Sequence, residues 1–308
     1  MTYDLIIIGG GPAGASAAVY AARKRLNTLL ILKEWGGQSI VSPEIFNWIG
    51  TPSVSGNDLA KMFKTHVEGY KGDYLTIQEN KYVSDLSRSD DGSFSVKTQK
   101  ASYSGKTVLI ASGSGRRKLE IPSAEQFENK GVVYCASCDG PLFSGQNVAV
   151  IGGGNAGFET AAQLLAYCSS VTLLSHGPMF KADEITQEKV LAHPNMKSIK
   201  NAEILEITGE QFVTGLSYKD TVSGETHAIP VSGVFVEIGM LPNTDFAKNV
   251  VALDAYNRVI IDHTTNATNV PGIWAAGDCS NVKYHQNNIA AGDAVRALED
   301  IYMFLRAK

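Results

Sequence analysis

Tyr3-Asp4-Leu5-Ile6-Ile7-Ile8-Gly9-Gly10-Gly11-Pro12-Ala13-Gly14 joins an apolar run to a glycine cluster, and an alanine-rich stretch follows from Ser16 to Arg25. That order predicts a strand, a tight turn and a helix. Gly9, Gly11 and Gly14 stand at G-x-G-x-x-G spacing, which permits the turn, close backbone approach to a pyrophosphate and close helix packing. The helix N-terminus then faces the phosphates. A second strand is expected over Thr28 to Leu32, with Glu34 at the distance where an acid holds a ribose hydroxyl. A lone glycine pattern is weak, but here its strand, helix and acid are all in place.

The pattern recurs. Val148 to Ile151 is another apolar run, Gly152-Gly153-Gly154-Asn155-Ala156-Gly157 repeats the spacing, and Phe158 to Tyr167 continues as a helix. Two fingerprints, each between a strand and a helix, predict one dinucleotide site per domain. At 308 residues the chain is long enough for about two domains. Between the fingerprints, Asp58 to Tyr70 has amphipathic helix spacing. Tyr74 to Ile77, Phe94 to Thr98 and Val108 to Ala111 read as a small β-meander. Ser112-Gly113-Ser114-Gly115 and the polar Arg116-Arg117-Lys118 mark one passage between domains, and Gly239 to Thr244 the return. The tail from Ile289 to Leu305 is helical in period.

Composition excludes several classes. Net charge is -4 with no basic run, so nucleic acid and anionic membranes are not expected partners. Apolar runs fall short of the roughly 18 residues a membrane helix needs. Met1 to Asp4 lead into a strand without a positive n-region, so no export signal is read and a cytoplasmic location is expected. Four cysteines occur, Cys168 and Cys279 isolated, which fits a reducing compartment.

The remaining pair lies in Cys135-Ala136-Ser137-Cys138-Asp139-Gly140. C-x-x-C is either a redox motif beside a β-α-β pattern or half of a zinc site. No second pair or close histidine pair supplies the other zinc ligands, so no metal is expected. Asp139 is placed to carry protons for the thiols; otherwise it caps a turn.

These motifs, with Gly36-Gly37-Gln38, Ile238 to Thr244 and Ala275-Ala276-Gly277-Asp278, resemble the low-molecular-weight thioredoxin reductases and the C-terminal flavoprotein portion of bacterial alkyl hydroperoxide reductase (its AhpF component). The resemblance covers essentially the whole chain. It implies an α/β fold of two Rossmann-like dinucleotide-binding domains of the three-layer ββα type, the second inserted in the first. The expected bounds are 1–114 with 245–308 for the FAD domain, and 115–244 for the domain carrying the nicotinamide cofactor and the C-x-x-C. For FAD it implies Gly9, Gly11, Pro12, Ala13, Gly14, Glu34, Gly37, Gln38, Asn47, Ala111, Gly113, Gly277, Asp278, His285, Gln286 and Asn287. For NADPH or NADH it implies Gly152, Gly154, Asn155, Ala156, Gly157, Glu159, His176 and Lys181.

By the same resemblance the catalytic residues are Cys135, Cys138 and Asp139. Cys138 lies nearer the flavin and Cys135 meets the disulfide of thioredoxin or a glutaredoxin-like protein through a mixed disulfide. The relatives are homodimers whose domains swing about the crossings, here near Ser114 and Thr244. With the first fingerprint starting at Gly9, the thioredoxin-like extension of the peroxide reductase flavoprotein has no counterpart, so electrons are expected to leave to a separate protein.

One stretch departs from the pattern. NADPH-dependent relatives carry His-Arg-Arg and a later arginine where this chain has Ser175-His176-Gly177-Pro178-Met179-Phe180-Lys181, and NADH-dependent relatives carry an acid at the first position. Only Lys181 stands in for the later arginine; its other reading is a solvated lysine. Some relatives without these residues draw on ferredoxin instead, which is the alternative donor. Asn287 also stands where a small or apolar residue is common. A flavin-bound redox sensor is the alternative from a different class.

Overall fold

The computed structural model describes residues 2–42 and 44–306. The chain divides into two compact units, Met1–Gly115 with Leu241–Lys308, and Arg116–Met240. The divisions fall at 115/116, against the expected 114/115, and at 240/241, against the expected 244/245. The return passage is not a loop: Met240–Pro242 is a strand forming a two-stranded sheet with Ser114–Arg116.

In the first unit the opening run becomes the strand Thr2–Ile8 and the alanine stretch the helix Pro12–Arg23. Both faces of the strand are buried. Leu5 and Ile7 enter the core under the helices, whereas Ile6 and Ile8 enter a second core on the opposite face. Alternate residues of a strand point to opposite faces, so a strand covered on both sides reads as an unbroken apolar run. Thr2–Ile8 pairs in parallel with Thr28–Ile31 and with Ser102–Ile110. Six alanines of helix Pro12–Arg23 are buried. Their small side chains let it pack closely against the last helix, Asn287–Arg306, through Ala290, Ala294 and Ala297.

The meander expected here is only partly formed. Val83–Arg88, Phe94–Thr98 and the start of Ser102–Ile110 are antiparallel neighbours. Leu75–Gln78, which covers most of the expected run Tyr74 to Ile77, instead adds to the parallel sheet beside Thr28–Ile31. Val108 to Ile110 is fully buried because that end of its strand is paired by Thr2–Ile8 and by Ile273–Ala275. Such burial needs a layer on each face, which a free-standing meander cannot provide.

The second unit repeats the plan. Parallel strands run in the order Met196–Ile199, Ser170–Leu174, Asn147–Ile151, Gly233–Val236, Val132–Val133. Val148 and Val150 pack with helix Asn155–Leu164 through Phe158, Ala161 and Leu164. Ala149 and Ile151 face Val213, Leu216 and Tyr218 of an antiparallel sheet made by Ala202–Gly209, Val213–Asp220 and Thr226–Pro230. Each unit is therefore three layers, helix, parallel sheet and antiparallel β, the two Rossmann-like folds expected from the sequence. Among the described residues no helix is long and apolar enough to cross a membrane.

Candidate active site

The two glycine turns share one steric design. At Gly9, with φ +124°, a Cβ would run into the carbonyl of Ala111, and at Gly14 it would run into the carbonyl of Gly9. In the second turn, Gly152, with φ +136°, backs onto the carbonyl of Glu237, and Gly157 onto that of Gly152. The middle glycines differ. A Cβ at Gly11 reaches only Gly36 O and Gly37 Cα, both at 3.9 Å, and one at Gly154 meets nothing within 4 Å. Two of each three glycines thus exist to pack the turn, and the middle one keeps an open face. The helices that follow, Pro12–Arg23 and Asn155–Leu164, have no side-chain cap and no acid in the first turn. Their leading N–H groups remain available to an anion.

Around the first turn the structure gathers the sequence-predicted residues of the first unit. Pro12 is the first helical residue and Ala13 lies 3.5 Å from the point where a Cβ on Gly277 would sit. Gly10 accepts a hydrogen bond from Gly36 N–H at 2.8 Å, which brings Gly37 and Gln38 beside the turn. Glu34 is exposed, its carboxylate 3.7 Å from Lys33 Nζ, while its carbonyl lies against Gly10. The amide of Asn47 donates to Gln286 Oε1 at 3.2 Å, and Asn288 donates to the carbonyl of Asn47 at 2.7 Å. Ser39 donates to Asn287 Oδ1 at 3.1 Å. The asparagine that departs from the family pattern is thereby anchored to the Gly37 segment. Gly113 has φ +65° with open space around it, and its carbonyl accepts from Asn243 N–H at 3.0 Å.

Asp278 follows Gly277 and lies 3.3 Å from His285 Nδ1. His285 Nδ1 is buried and, despite that neighbouring carboxylate, makes no hydrogen bond. A buried ring nitrogen left unpaired marks a place where a polar ligand group completes the site.

In the second unit, Asn155 Oδ1 accepts from Asp183 N–H at 2.8 Å, and Lys181 N–H donates to the carbonyl of Gly153 at 2.7 Å. The segment after strand Ser170–Leu174 is so drawn over the glycine turn. Phe180 locks it there, stacked edge-on to Phe158 at 5.0 Å with the Lys200 ammonium 4.8 Å from its ring centre. The side chains of His176, Lys181, Glu159, Asn155 and Ala156 are exposed, whereas Ser175 is buried against Gly153. Lys200 is a cation the sequence reading missed; it lies at the end of the neighbouring strand, a proximity that no local motif records.

Cys135 and Cys138 are joined as a disulfide with their Cα atoms 5.3 Å apart. Cys135 caps the short helix Ala136–Asp139, its Sγ accepting from Cys138 N–H at 3.2 Å. Burial pushes the Asp139 carboxyl up to about 6, against the opposing pull of the Arg116 guanidinium. Glu237 is also raised by burial, opposed by Arg116 and by a 2.9 Å hydrogen bond from Thr160 Oγ1. Arg116 Nη1 lies 3.7 Å from Glu237 Oε1. Arg116, Glu237 and Thr160 were not singled out from sequence as functional side chains. The other thiols, Cys168 and Cys279, are buried, and burial raises both to about 11. Among the described residues no three His, Cys, Asp or Glu side chains gather as a metal site.

Two glycine turns of one geometry with a cysteine pair in the second unit correspond to a known pattern, that of pyridine nucleotide-disulphide oxidoreductases, which matches residues 3–294. The chain belongs to that family. This oxidoreductase chain is 40% identical over 303 residues to a protein named NADH dehydrogenase from Bacillus subtilis. It is also 40% identical over 305 residues to the AhpF component of the alkyl hydroperoxide reductase of Escherichia coli. In both comparisons 98% of this chain is covered, and it spans 58% of the length of either relative. Among solved structures, the thioredoxin reductase of Streptococcus pyogenes superposes with a TM-score of 0.91 at 32% identity, covering 100% of this chain and 99% of that one. The family implies FAD and a nicotinamide nucleotide. The residues around the first turn are compatible with such a group: the face at Gly11 is open, as close approach of a pyrophosphate would require, and the buried His285 Nδ1 has no hydrogen-bond partner.

Proposed function

We propose that the chain is an FAD-dependent disulfide reductase of the thioredoxin reductase type, passing electrons from NADPH or NADH to the disulfide of thioredoxin or a glutaredoxin-like protein. The Met1–Gly115 and Leu241–Lys308 unit is the FAD domain, and Arg116–Met240 is the nucleotide and redox domain. The observation that carries the reading is the Cys135–Cys138 disulfide with Asp139 next to it on the same short helix, a half-buried acid whose carboxyl is pushed up by desolvation to about 6. A carboxyl with that value is half ionised close to neutral pH, which suits a group that takes and returns protons.

Gly9 to Gly14 would hold the FAD pyrophosphate on the helix N-terminus, with Gly37, Gln38, Ala111 and Gly113 along the same side. Glu34 would take a ribose hydroxyl, Asp278 the ribityl chain, and the Asn47, His285, Gln286 and Asn287 group the ring. FAD bound there supplies the electron pair that opens the disulfide. Cys135 then attacks the partner's disulfide as a thiolate, helped by the Cys138 N–H that its sulfur already accepts. Cys138 resolves the mixed disulfide, and Asp139 carries the protons.

For the donor, the open face at Gly154 and the uncapped helix behind it favour a pyridine nucleotide. No acid stands at the end of strand Ser170–Leu174, whereas Lys181 on the segment that follows and Lys200 over the Phe180 ring supply cations, which inclines the choice to NADPH. Ferredoxin remains the second reading because the arginines usual for the 2'-phosphate are missing from Ser175 to Lys181. A homodimer is the proposed assembly and the cytoplasm the proposed location.

Anaerobic stopped-flow mixing of the yellow protein with NADPH, NADH and reduced ferredoxin in turn tests the donor. Rapid bleaching by NADPH is expected. Bleaching by ferredoxin alone would replace the pyridine-nucleotide reading. A Cys138→Ser variant is expected to bleach yet pass no electrons to thioredoxin, and retained turnover would refute the dithiol route.

A further inference from the structure

Within the Arg116–Met240 unit one guanidinium acts on two half-buried acids. Arg116 ends the strand Ser114–Arg116, with its side chain only 27% exposed, and faces the Glu237 carboxylate, 14% exposed, at 3.7 Å. Shielding of that degree keeps the charges from being screened away, unlike those of a surface pair. The Arg116 charge also acts on Asp139, and the parallel register of Gly233–Val236 on Val132–Val133, with Val234 opposite Val132 and Phe235 opposite Val133, brings the Arg116–Glu237 pair to the end of the strand that leads into Cys135. Glu237 is in turn built into the second glycine turn. Its N–H donates to the carbonyl of Ile151 at 2.8 Å, its own carbonyl supports Gly152, and its carboxylate accepts from Thr160 Oγ1 at 2.9 Å on helix Asn155–Leu164.

The surroundings offer few competitors. Asp139 shares its short helix with Cys138 and the capping Cys135, and the neighbouring helix Asn155–Leu164 presents Gln163 to Ser137 at 2.8 Å. The Tyr167 ring lies against Gly140. Glu237 faces Arg116, Thr160 and Glu159, and Tyr134 is a further titratable group on which the Arg116 charge acts. When two acids share one cation, the hold of one acid on that cation sets the proton affinity of the other.

We propose that Arg116 is a positioning residue for the proton chemistry of the Cys135–Cys138 dithiol, and that Glu237 divides its charge, tying the redox acid to the second glycine turn. The proposal deepens the disulfide-reductase reading and rests on Asp139 being the proton carrier. In the exchange, the Asp139 carboxylate takes the proton of the Cys135 thiol, and the thiolate bonds to one sulfur of the partner disulfide as the partner's S–S bond breaks. The departing partner thiolate receives that proton from Asp139. Cys138 then gives its proton to Asp139 and attacks Cys135 Sγ, re-forming the internal disulfide. The second partner thiolate leaves with that proton, so two electrons and two protons pass to the partner and Asp139 ends as it began. Arg116 holds Asp139 ionised enough to begin each half, and Glu237 keeps that hold from being so strong that the proton is not accepted.

The test reduces the cysteine pair with a phosphine, removes the reductant and follows reaction with the small disulfide 5,5'-dithiobis(2-nitrobenzoate) from pH 4.5 to 9. This readout needs no nicotinamide donor. The wild-type rate is expected to inflect near 6. Arg116→Gln moves the inflection upward, lowering the rate near pH 6 by about threefold to tenfold, and Glu237→Gln moves it downward by a comparable factor. Arg116→Lys, which keeps the charge, restores most of the wild-type profile and covers the case in which Arg116→Gln fails to fold.

Shifts of opposite sign support the proposal; shifts of the same sign, or none, overturn it. Asp139→Asn separates this inference from the reading beneath it. Loss of the inflection in Asp139→Asn with none of the Arg116 or Glu237 shifts defeats the inference alone. An inflection that survives in Asp139→Asn defeats the assignment of Asp139 and the inference with it.

Discussion

Replacing Gly154 by alanine separates ligand binding from folding. A Cβ there meets nothing within 4 Å, and the backbone, at φ -97° and ψ -176°, is extended and open to any residue. Stability is expected to change by less than about 1 kcal/mol, because alanine is a slightly poorer N-cap than glycine but restricts the unfolded chain. The new methyl projects into the open space beside the uncapped N-terminus of helix Asn155–Leu164, where the phosphates are proposed to bind. A pyrophosphate held there is pushed off at least one charge-assisted hydrogen bond worth about 1.5–3 kcal/mol, so nucleotide affinity falls about 10- to 100-fold.

Gly157→Ala is the opposite case. Its Cβ strikes the Gly152 carbonyl, which costs about 1–3 kcal/mol of fold stability and lowers the melting midpoint by about 2 °C for each kcal/mol. Calorimetric titration with NADP+ and NAD+, run beside thermal melts of both variants, checks the pair. An unchanged Kd in Gly154→Ala, or a melting midpoint as low as that of Gly157→Ala, would refute the assignment of that open face to the nucleotide.

Asp139→Asn should erase the acid limb near pH 6 and slow disulfide exchange by about 100-fold, read from the pH profile of thioredoxin reduction. Stability supplies an independent check. The native carboxyl, at about 6, binds its proton more tightly than the ordinary 3.8, so its contribution is greatest below about pH 4 and is lost as the pH rises through 6. The asparagine variant should therefore gain up to about 3 kcal/mol on wild type at pH 8 and little at pH 4, measured by denaturant unfolding, with solvent screening reducing the gain. Phe158→Ala empties a fully buried ring site stacked on Phe180 and should cost about 3–5 kcal/mol in the same assay. Iodoacetamide at pH 8 on the reduced, folded protein should label Cys135 and Cys138 but not Cys168 or Cys279, and a peptide map showing either buried thiol modified would contradict their burial.

Much of this protein could be read from its chain alone because the decisive features are local. A glycine turn is specified by what a Cβ would strike within a few residues or on the next strand, and Gly9 to Gly14 and Gly152 to Gly157 carry that requirement in their spacing. The cysteine pair is local too: two thiols three residues apart on one short helix can close a disulfide without distant help. The unbroken apolar runs at Leu5 to Ile8 and Val148 to Ile151 marked strands, and the structure covers both faces of each.

The tertiary structure decided what local chemistry leaves open. Leu75–Gln78 has the composition of a meander strand, and only its pairing with Thr28–Ile31 made it part of the parallel sheet. Asn287 departs from the family pattern in sequence, yet its hydrogen bond from Ser39 gives it a structural post. Arg116 stood in the sequence as one of three cations at a domain passage, and Glu237 belonged to no motif there. Their meeting depends on two distant strands delivering one charge each into a shielded space, and electrostatic coupling follows distance in space and burial, which spacing along the chain does not encode.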